Sequence, residues 1–267
     1  MPNDERQEVA AVQTWYDQTA DAFSLRYTGV SGKFWEQFEE RVAMDLLPPA
    51  VHRVLDLGCG PGRLAASLSR RATHVLGVDL SPAMIVLARA QAHPGNVHYC
   101  VMDATRTALE SERFDAVISL GMFEYLSDPA PFLREMLRIL KPGGVTVFTC
   151  YSQPPRALGA PRAAARWLKS LVWRRPQTAN HGRAYDRVRH EPARMVERLR
   201  SAGFVGVDFR GFHFLTTARL FRMTADLRSR RLAELGTGAA VWLDRTLGGL
   251  QATKAVAPLA MYRAAKP

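Results

Sequence analysis

Long apolar runs are missing from this chain. Nothing in it approaches the roughly 20 consecutive apolar residues that a membrane-spanning helix needs. Cysteine is scarce as well: Cys59, Cys100 and Cys150 lie far apart, each in or beside an apolar run. An odd count without zinc-ligand spacing argues against a disulfide framework or a thiolate metal site, and for core thiols. No internal repeat is present. The opening Met1-Pro2-Asn3-Asp4-Glu5-Arg6 is polar and partly acidic, with no apolar segment behind a basic start. A secretory signal is therefore not expected, and a cytoplasmic protein is. What the chain does have is apolar material: 47% of its 267 residues are hydrophobic and 23% charged. That composition supports a packed core and excludes wholesale disorder. The length fits two small domains or one larger one.

Acidic residues are rare in the second half. Residues 1–151 carry 14 basic and 18 acidic side chains, while residues 152–267 carry 22 and 7. A basic half fits nucleic acid, an anionic membrane surface or an acidic substrate. Only five of the 36 basic residues are lysine, so an arginine-biased composition accounts for the excess equally well.

Hydrophobic patterning alternates short β-rich runs with helical stretches. Val51–Leu57 reads as a buried strand that runs into Gly58-Cys59-Gly60-Pro61-Gly62, followed by a helix over Arg63–Arg71. His74–Asp79 is a second strand, and Ser81-Pro82 opens a helix to Gln91, with serine as N-cap and proline at the first helical position. Strands follow over Asn96–Met102 and Phe114–Leu120. Pro129–Leu140 is helical until Lys141-Pro142-Gly143-Gly144 breaks it, and Val145–Tyr151 is a fifth strand. Beyond Tyr151 the rhythm changes, and residues 152–190 contain no convincing strand. A helix over Pro192–Ala202 ends at Gly203. Phe204–Arg210 is a sixth strand, helical patterns follow over Thr217–Glu234 and Ala239–Leu247, and Ala255–Arg263 is a candidate last strand. This alternation predicts an α/β fold with a mostly parallel sheet covered on both faces. The chain reads as one domain over 1–267, with an N-terminal helical arm (5–46), a core (50–151) and helical insertions (152–190 and 211–255).

The chemistry centres on Asp56-Leu57-Gly58-Cys59-Gly60-Pro61-Gly62, a glycine-rich turn between a strand and a helix. Glycines there let backbone approach a ligand closely. Asp79, at the end of the second strand, stands where a ribose hydroxyl pair is held in nucleotide-binding sheets. The spacing is G-x-G-x-G, not the G-x-G-x-x-G of dinucleotide folds. Asp56 would repel a pyrophosphate but could accept hydrogen bonds from an ammonium group. These details favour a charged amino-acid–nucleoside ligand over a dinucleotide.

Val54–Gly62 resembles motif I of the class I S-adenosylmethionine-dependent methyltransferases. Gly77-Val78-Asp79-Leu80-Ser81-Pro82-Ala83-Met84 is similar to that family's second-strand motif. Phe114–Ser119 and Leu137–Gly144 are similar to its fourth strand and the run into its fifth. The resemblance spans residues 50–151. It implies a Rossmann-like sheet of seven mostly parallel strands, the last antiparallel one supplied by Ala255–Arg263, and S-adenosylmethionine as cofactor. By position it implies that Gly58, Gly60 and Gly62 shape the cofactor turn, with Asp56 on the methionine ammonium side and Asp79 on the ribose. Leu80 and Met84 would lie against the adenine, Met102 and Asp103 at its amino group, and Leu120 near the sulfonium. Trp15-Tyr16-Asp17 and Arg26-Tyr27 resemble the segment that closes over the cofactor in small-molecule members. Tyr16 and Tyr27 also fit ordinary amphipathic packing.

The segment Leu120–Pro129 lacks the Asn/Asp-Pro-Pro-aromatic motif of amino-directed DNA methyltransferases, and no RNA-binding module flanks the core. It resembles the corresponding segment of quinone-pathway O-methyltransferases, whose members can carry two glutamates and a histidine there as metal ligands. Here Glu124 matches one position while Gly121 and Tyr125 occupy the others, so no metal is expected. Aligning a nucleophile and excluding water is most of what methyl transfer asks of a protein, with a base adding to it. Candidate bases are His213, which ranks first because it lies just after the sixth strand, whose end should be on the active face, then His181, His190 and Glu124. Arg162–Arg175 can form an amphipathic helix, which fits a core-docked helix, a lid or a peripheral membrane contact. The resulting expectation is methyl transfer, by O-methylation, to a small organic acceptor in a biosynthetic pathway, with no nucleic-acid partner. Two alternatives stay open: a lipid or carrier-linked acceptor at a membrane surface, and a non-catalytic cofactor-binding partner subunit. The oligomeric state is not legible.

Overall fold

Two helices precede the first strand, α1 (Asn3–Leu25) and α2 (Val30–Leu46). The computed structural model describes residues 3–25, 30–91, 95–153, 188–212 and 259–267. Among them, seven strands form one sheet: β1 (Val51–Leu57), β2 (Ala72–Asp79), β3 (Val97–Val101), β4 (Phe114–Ser119), β5 (Leu140–Tyr151), β6 (Val205–Phe212) and β7 (Leu259–Ala265). Their order is β3-β2-β1-β4-β5-β7-β6. The pairs from β3 through β5 are parallel, and β7 runs antiparallel to both neighbours. The expected seven-stranded, mostly parallel sheet is what the chain forms. Its order reverses between β1 and β4, the place where open α/β sheets leave a crevice at their carboxyl ends.

The central strands are continuous apolar runs because helices cover both faces. Val54, Leu55 and Leu57 of β1 are buried, as are Val117 and Ile118 of β4 and Val147 and Phe148 of β5. The covering helices are α3 (Ala65–Ser69), α4 (Pro82–Ala90), α5 (Ala130–Ile139) and α6 (Pro192–Ser201). On one face, rings run side by side across three strands and the segment after β4. Phe123 stacks on Phe148 at 4.1 Å, Phe148 on Tyr262 at 5.1 Å, and Tyr262 on Phe209 at 5.2 Å. Met136, Met195 and Leu199 close that core from α5 and α6. On the other face, Phe38, Val42 and Leu46 of α2 pack over Val54, Ile118, Val147 and Met261. No described helix is long and apolar enough to cross a membrane.

Three of the boundary differences from the sequence reading have a visible cause. The helix expected over Arg63–Arg71 is regular only from Ala65 to Ser69, because tight bonds from Gly62 to Cys59 and from Ala65 to Gly62 wind its start as turns. β5 begins at Leu140 rather than Val145, since Leu140 pairs with Phe114 before the register shifts. Lys141–Gly144 are absorbed by that irregularity, and Gly143 takes φ +75°. The last strand lies at Leu259–Ala265 rather than Ala255–Arg263, set by its pairing from Val145↔Ala265 to Tyr151↔Leu259. Residues 162–175, the amphipathic segment, lie outside the described residues.

Candidate active site

β1 ends at Leu57, and the chain turns at once. The amides of Gly58 and Cys59 both donate to the Val78 carbonyl, at 2.8 and 3.0 Å, which ties the turn to β2. Gly58, Gly60 and Gly62 adopt φ of +74°, +53° and +82°, values that only glycine takes without strain. Their surroundings differ. A Cβ on Gly62 would sit 2.6 Å from Tyr99 Oη, and one on Gly58 would sit 3.2 Å from Met122 Sδ. A Cβ on Gly60 would meet nothing within 4 Å. Gly62 is thus required by packing, whereas Gly60 borders open space at the carboxyl edge of the sheet.

Asp79 closes that space from β2. Its Oδ2 accepts from the Gly60 amide at 2.8 Å and its Oδ1 from the Ser81 amide at 3.0 Å. Burial raises its pKa above the usual carboxylate range, those amide bonds oppose the rise, and the charge of Asp17 adds to it. Asp56 is buried beneath the turn. Burial pushes its carboxyl up to about 7, Arg63 works against the rise, and Asp79 adds to it. Two desolvated acids side by side form a site that gains from a cationic ligand, because an opposite charge restores their ionised forms. After β3, Met102 donates its amide to the Asp79 carbonyl at 2.9 Å, which sets Asp103 beside Asp79. Asp103 Oδ1 accepts from the Thr105 amide and hydroxyl at 2.8 and 2.7 Å.

Comparison with known proteins shows the family. Residues 55–148 match the family model described as a methyltransferase domain. The chain is 32% identical over 168 residues to a ubiquinone biosynthesis O-methyltransferase of Xanthomonas axonopodis pv. citri, covering 62% of this chain and 67% of that relative. The chain belongs to the class I S-adenosylmethionine-dependent methyltransferases. A further ubiquinone biosynthesis O-methyltransferase, from Pseudomonas fluorescens, is 27% identical over 234 residues, with 85% of this chain and 95% of that one covered. Among solved structures, a methyltransferase of Thermotoga maritima shares the fold at a TM-score of 0.60 and 18% identity, covering 96% of this chain and 99% of that one. Haemonchus contortus phosphoethanolamine N-methyltransferase 2, solved with phosphomonomethylethanolamine and S-adenosylhomocysteine, shares it at 0.59 and 19%, covering 96% of this chain and 60% of that one. The protein is a transferase that uses S-adenosylmethionine.

The methyltransferase's other expected site residues fall into distinct places. Leu80 is half-buried and Met84 fully buried in the first turn of α4. Leu120 packs into the α2-side core. Tyr16 meets Tyr125 edge-on at 5.6 Å, so α1 reaches the segment after β4. Glu124 is buried in the short 3₁₀ turn Phe123–Tyr125, and its carbonyl accepts from the Val188 amide at 2.9 Å. No group of three or more His, Cys, Asp or Glu side chains placed for a metal ion occurs among the described residues. His190 is buried with Nδ1 3.2 Å from Arg198 Nη1, and burial followed by the Arg198 charge lowers its affinity for a proton. Tyr27, His181 and His213 lie outside the described residues.

Two participants were given no contact of their own by the sequence. Asp17 accepts from the Ser81 hydroxyl and, at 3.3 Å, from the Ala83 amide. Its position beside Tyr16 was a faint signal, but a partner 64 residues away leaves no local pattern. Tyr125, noted only as replacing a metal ligand, is the ring that Tyr16 packs against.

Proposed function

We propose that this methyltransferase O-methylates a hydroxyl or carboxyl group of a small organic acceptor in a biosynthetic pathway. The ubiquinone biosynthesis O-methyltransferases it resembles support that acceptor class. The observation that carries the cofactor side is the open space at Gly60, bounded by the Asp79 carboxylate and underlain by the desolvated Asp56. Those residues fit a ligand that combines a ribose with cationic groups. When bound, S-adenosylmethionine supplies an electrophilic methyl group on a sulfonium.

In this reading Gly58, Gly60 and Gly62 shape the cofactor turn, Asp56 faces the ammonium side, and Asp79 accepts from the ribose hydroxyls. Leu80, Met84, Met102 and Asp103 surround the adenine, with Leu120 toward the reacting centre. Tyr16 and Tyr27 close the arm over it. Residues 1–267 work as one domain, in which the arm (5–46) and the insertions (152–190 and 211–255) enclose the acceptor above the core (50–151). Their contribution is alignment and exclusion of water. A base that takes the acceptor proton adds roughly 10²–10⁴-fold. His213 is the leading candidate, because β6 runs parallel to β5 and ends on the site's edge. His181 and Glu124 follow. The protein acts in the cytoplasm in this reading, without a nucleic-acid partner.

The test is transfer of labelled methyl from S-adenosylmethionine into a cell extract, partitioned between water and organic solvent. Label in a discrete organic-soluble small molecule supports the reading and identifies the acceptor by mass. Label in phospholipid or a carrier-linked fraction would replace it with a membrane-surface substrate.

A further inference from the structure

Ser81 is held from two sides by two different acids. Its backbone amide donates to Asp79 Oδ1 at 3.0 Å, and its hydroxyl donates to Asp17 Oδ1. The same hydroxyl accepts from the Met84 amide at 3.2 Å as the N-cap of α4. A capping hydroxyl that accepts from the helix needs an acceptor for its own proton, and Asp17 is that acceptor. Pro82 at the first helical position has no N–H, so the next unpaired donor of the helix is the Ala83 amide, which Asp17 also takes. Ser81 is thereby fixed in rotamer by the arm and in backbone by the ribose-side acid.

The arm also reaches the opposite wall. Tyr16, next to Asp17, lies edge-on to Tyr125 after β4. One turn of α1 thus touches both the β2 side and the β4 side of the space above Gly60. We propose that Asp17 is a positioning residue: it latches α1 across the site and holds Ser81 so that Asp79 keeps its carboxylate set for the ribose. The inference rests on the reading of Asp79 as the ribose ligand. A like charge at Asp17 is unfavourable for Asp79 in the free protein, and hydroxyl donors on Asp79 relieve that repulsion. Latch closure and cofactor binding therefore strengthen each other, and by linkage each does so by the same factor.

The experiment uses the full chain and S-adenosylhomocysteine as probe, with affinity from calorimetry and α1 protection from amide hydrogen exchange. Asp17→Ala is expected to weaken the probe about tenfold, the effect of losing a charge-assisted hydrogen bond. It should also abolish the gain in α1 protection that the probe confers on the wild type. Asp17→Asn keeps an oxygen that can accept from Ser81 and should recover part of both effects. Ser81→Ala should reproduce the Asp17→Ala loss, and the double variant should add nothing further. Unchanged affinity in Asp17→Ala, or additive losses in the double variant, would overturn the latch. Asp79→Ala separates the two ideas. If it loses the probe while free-state α1 protection stays intact, the ribose reading stands, and the Asp17 variants decide the latch alone. If it binds normally, the ribose reading falls, and the proposed route from Asp17 through Asp79 falls with it.

Discussion

On the β1–β2 side of β4, the polar groups that shape the turn are paired: Gly58 and Cys59 to Val78, Gly60 and Ser81 to Asp79, Ser81 to Asp17. Among the described residues, Ser152 Oγ, His190 Nε2 and Tyr262 Oη on the β5–β7 side are buried without a hydrogen-bond partner, as is Asn96 Oδ1 beside β3. Each such atom costs about 1–3 kcal/mol. The β5–β7 flank is held chiefly by packing, through the stack of Phe123, Phe148, Tyr262 and Phe209. One flank is defined by backbone geometry, which few side chains satisfy. The other is defined by volume, which many combinations fill.

The largest expected effect sharpens this contrast. Phe148→Ala should cost about 3–5 kcal/mol in denaturant unfolding, as a cavity opens in the middle of the stack; a loss under half that would mean the second flank is not held by packing. Gly62→Ala should cost about 2–4 kcal/mol, from a left-handed backbone and the collision with Tyr99. Gly60→Ala separates fold from function within the same turn. It should cost stability only about 1–2 kcal/mol through its backbone, while S-adenosylhomocysteine binding falls further if the open space at Gly60 holds the cofactor as proposed. Equal effects of the two alanines on stability would blur the distinction between packing and ligand glycines. Asp79→Ala should weaken the same probe at least about tenfold, or about 1.4 kcal/mol, with the circular dichroism spectrum unchanged.

The pH-dependent effects carry opposite signs on the two flanks. Asp56 is pushed up to about 7 in the folded protein from an ordinary 3.8. The folded state therefore holds that proton longer than the unfolded one, and stability from this group is lost as pH rises from about 4 to 7. His190 is shifted down from 6.5, so the unfolded state takes its proton first and stability is lost as pH falls below that value. Relative to wild type, Asp56→Asn should gain stability toward alkaline pH and His190→Gln toward acidic pH, read from melting curves across the range. Slopes of the same sign would remove the contrast.

The legible parts of this molecule are those where backbone demands leave a local trace. The Gly58–Gly62 turn and the Ser81-Pro82 helix start needed particular residue types, and the sequence displays them in place. Strand existence was equally plain in Val51–Leu57 and Phe114–Ser119, because strands covered on both faces read as apolar runs. Strand ends were not, since Leu140 and Ala265 joined the sheet through partners on other strands. The bond between Asp17 and Ser81 left no pattern at all, because each residue alone is an ordinary helical or capping residue. The buried setting of Glu124 and His190 was hidden for the same reason.

The position of β7 has a consequence for biogenesis. It is translated last among the described strands yet lies between β5 and β6 in the sheet. Until residues 259–265 emerge, β5 has an open hydrogen-bonding edge and β6 has no neighbour to pair with. Val145 must wait for Ala265, some 120 residues downstream. A nascent chain thus carries an unzipped edge on β5 while residues 152–258 are added, and open edges of this kind invite pairing with other chains. Residues 259–265 act as a keystone, and deleting them should compromise solubility before it touches the Gly58–Gly62 turn.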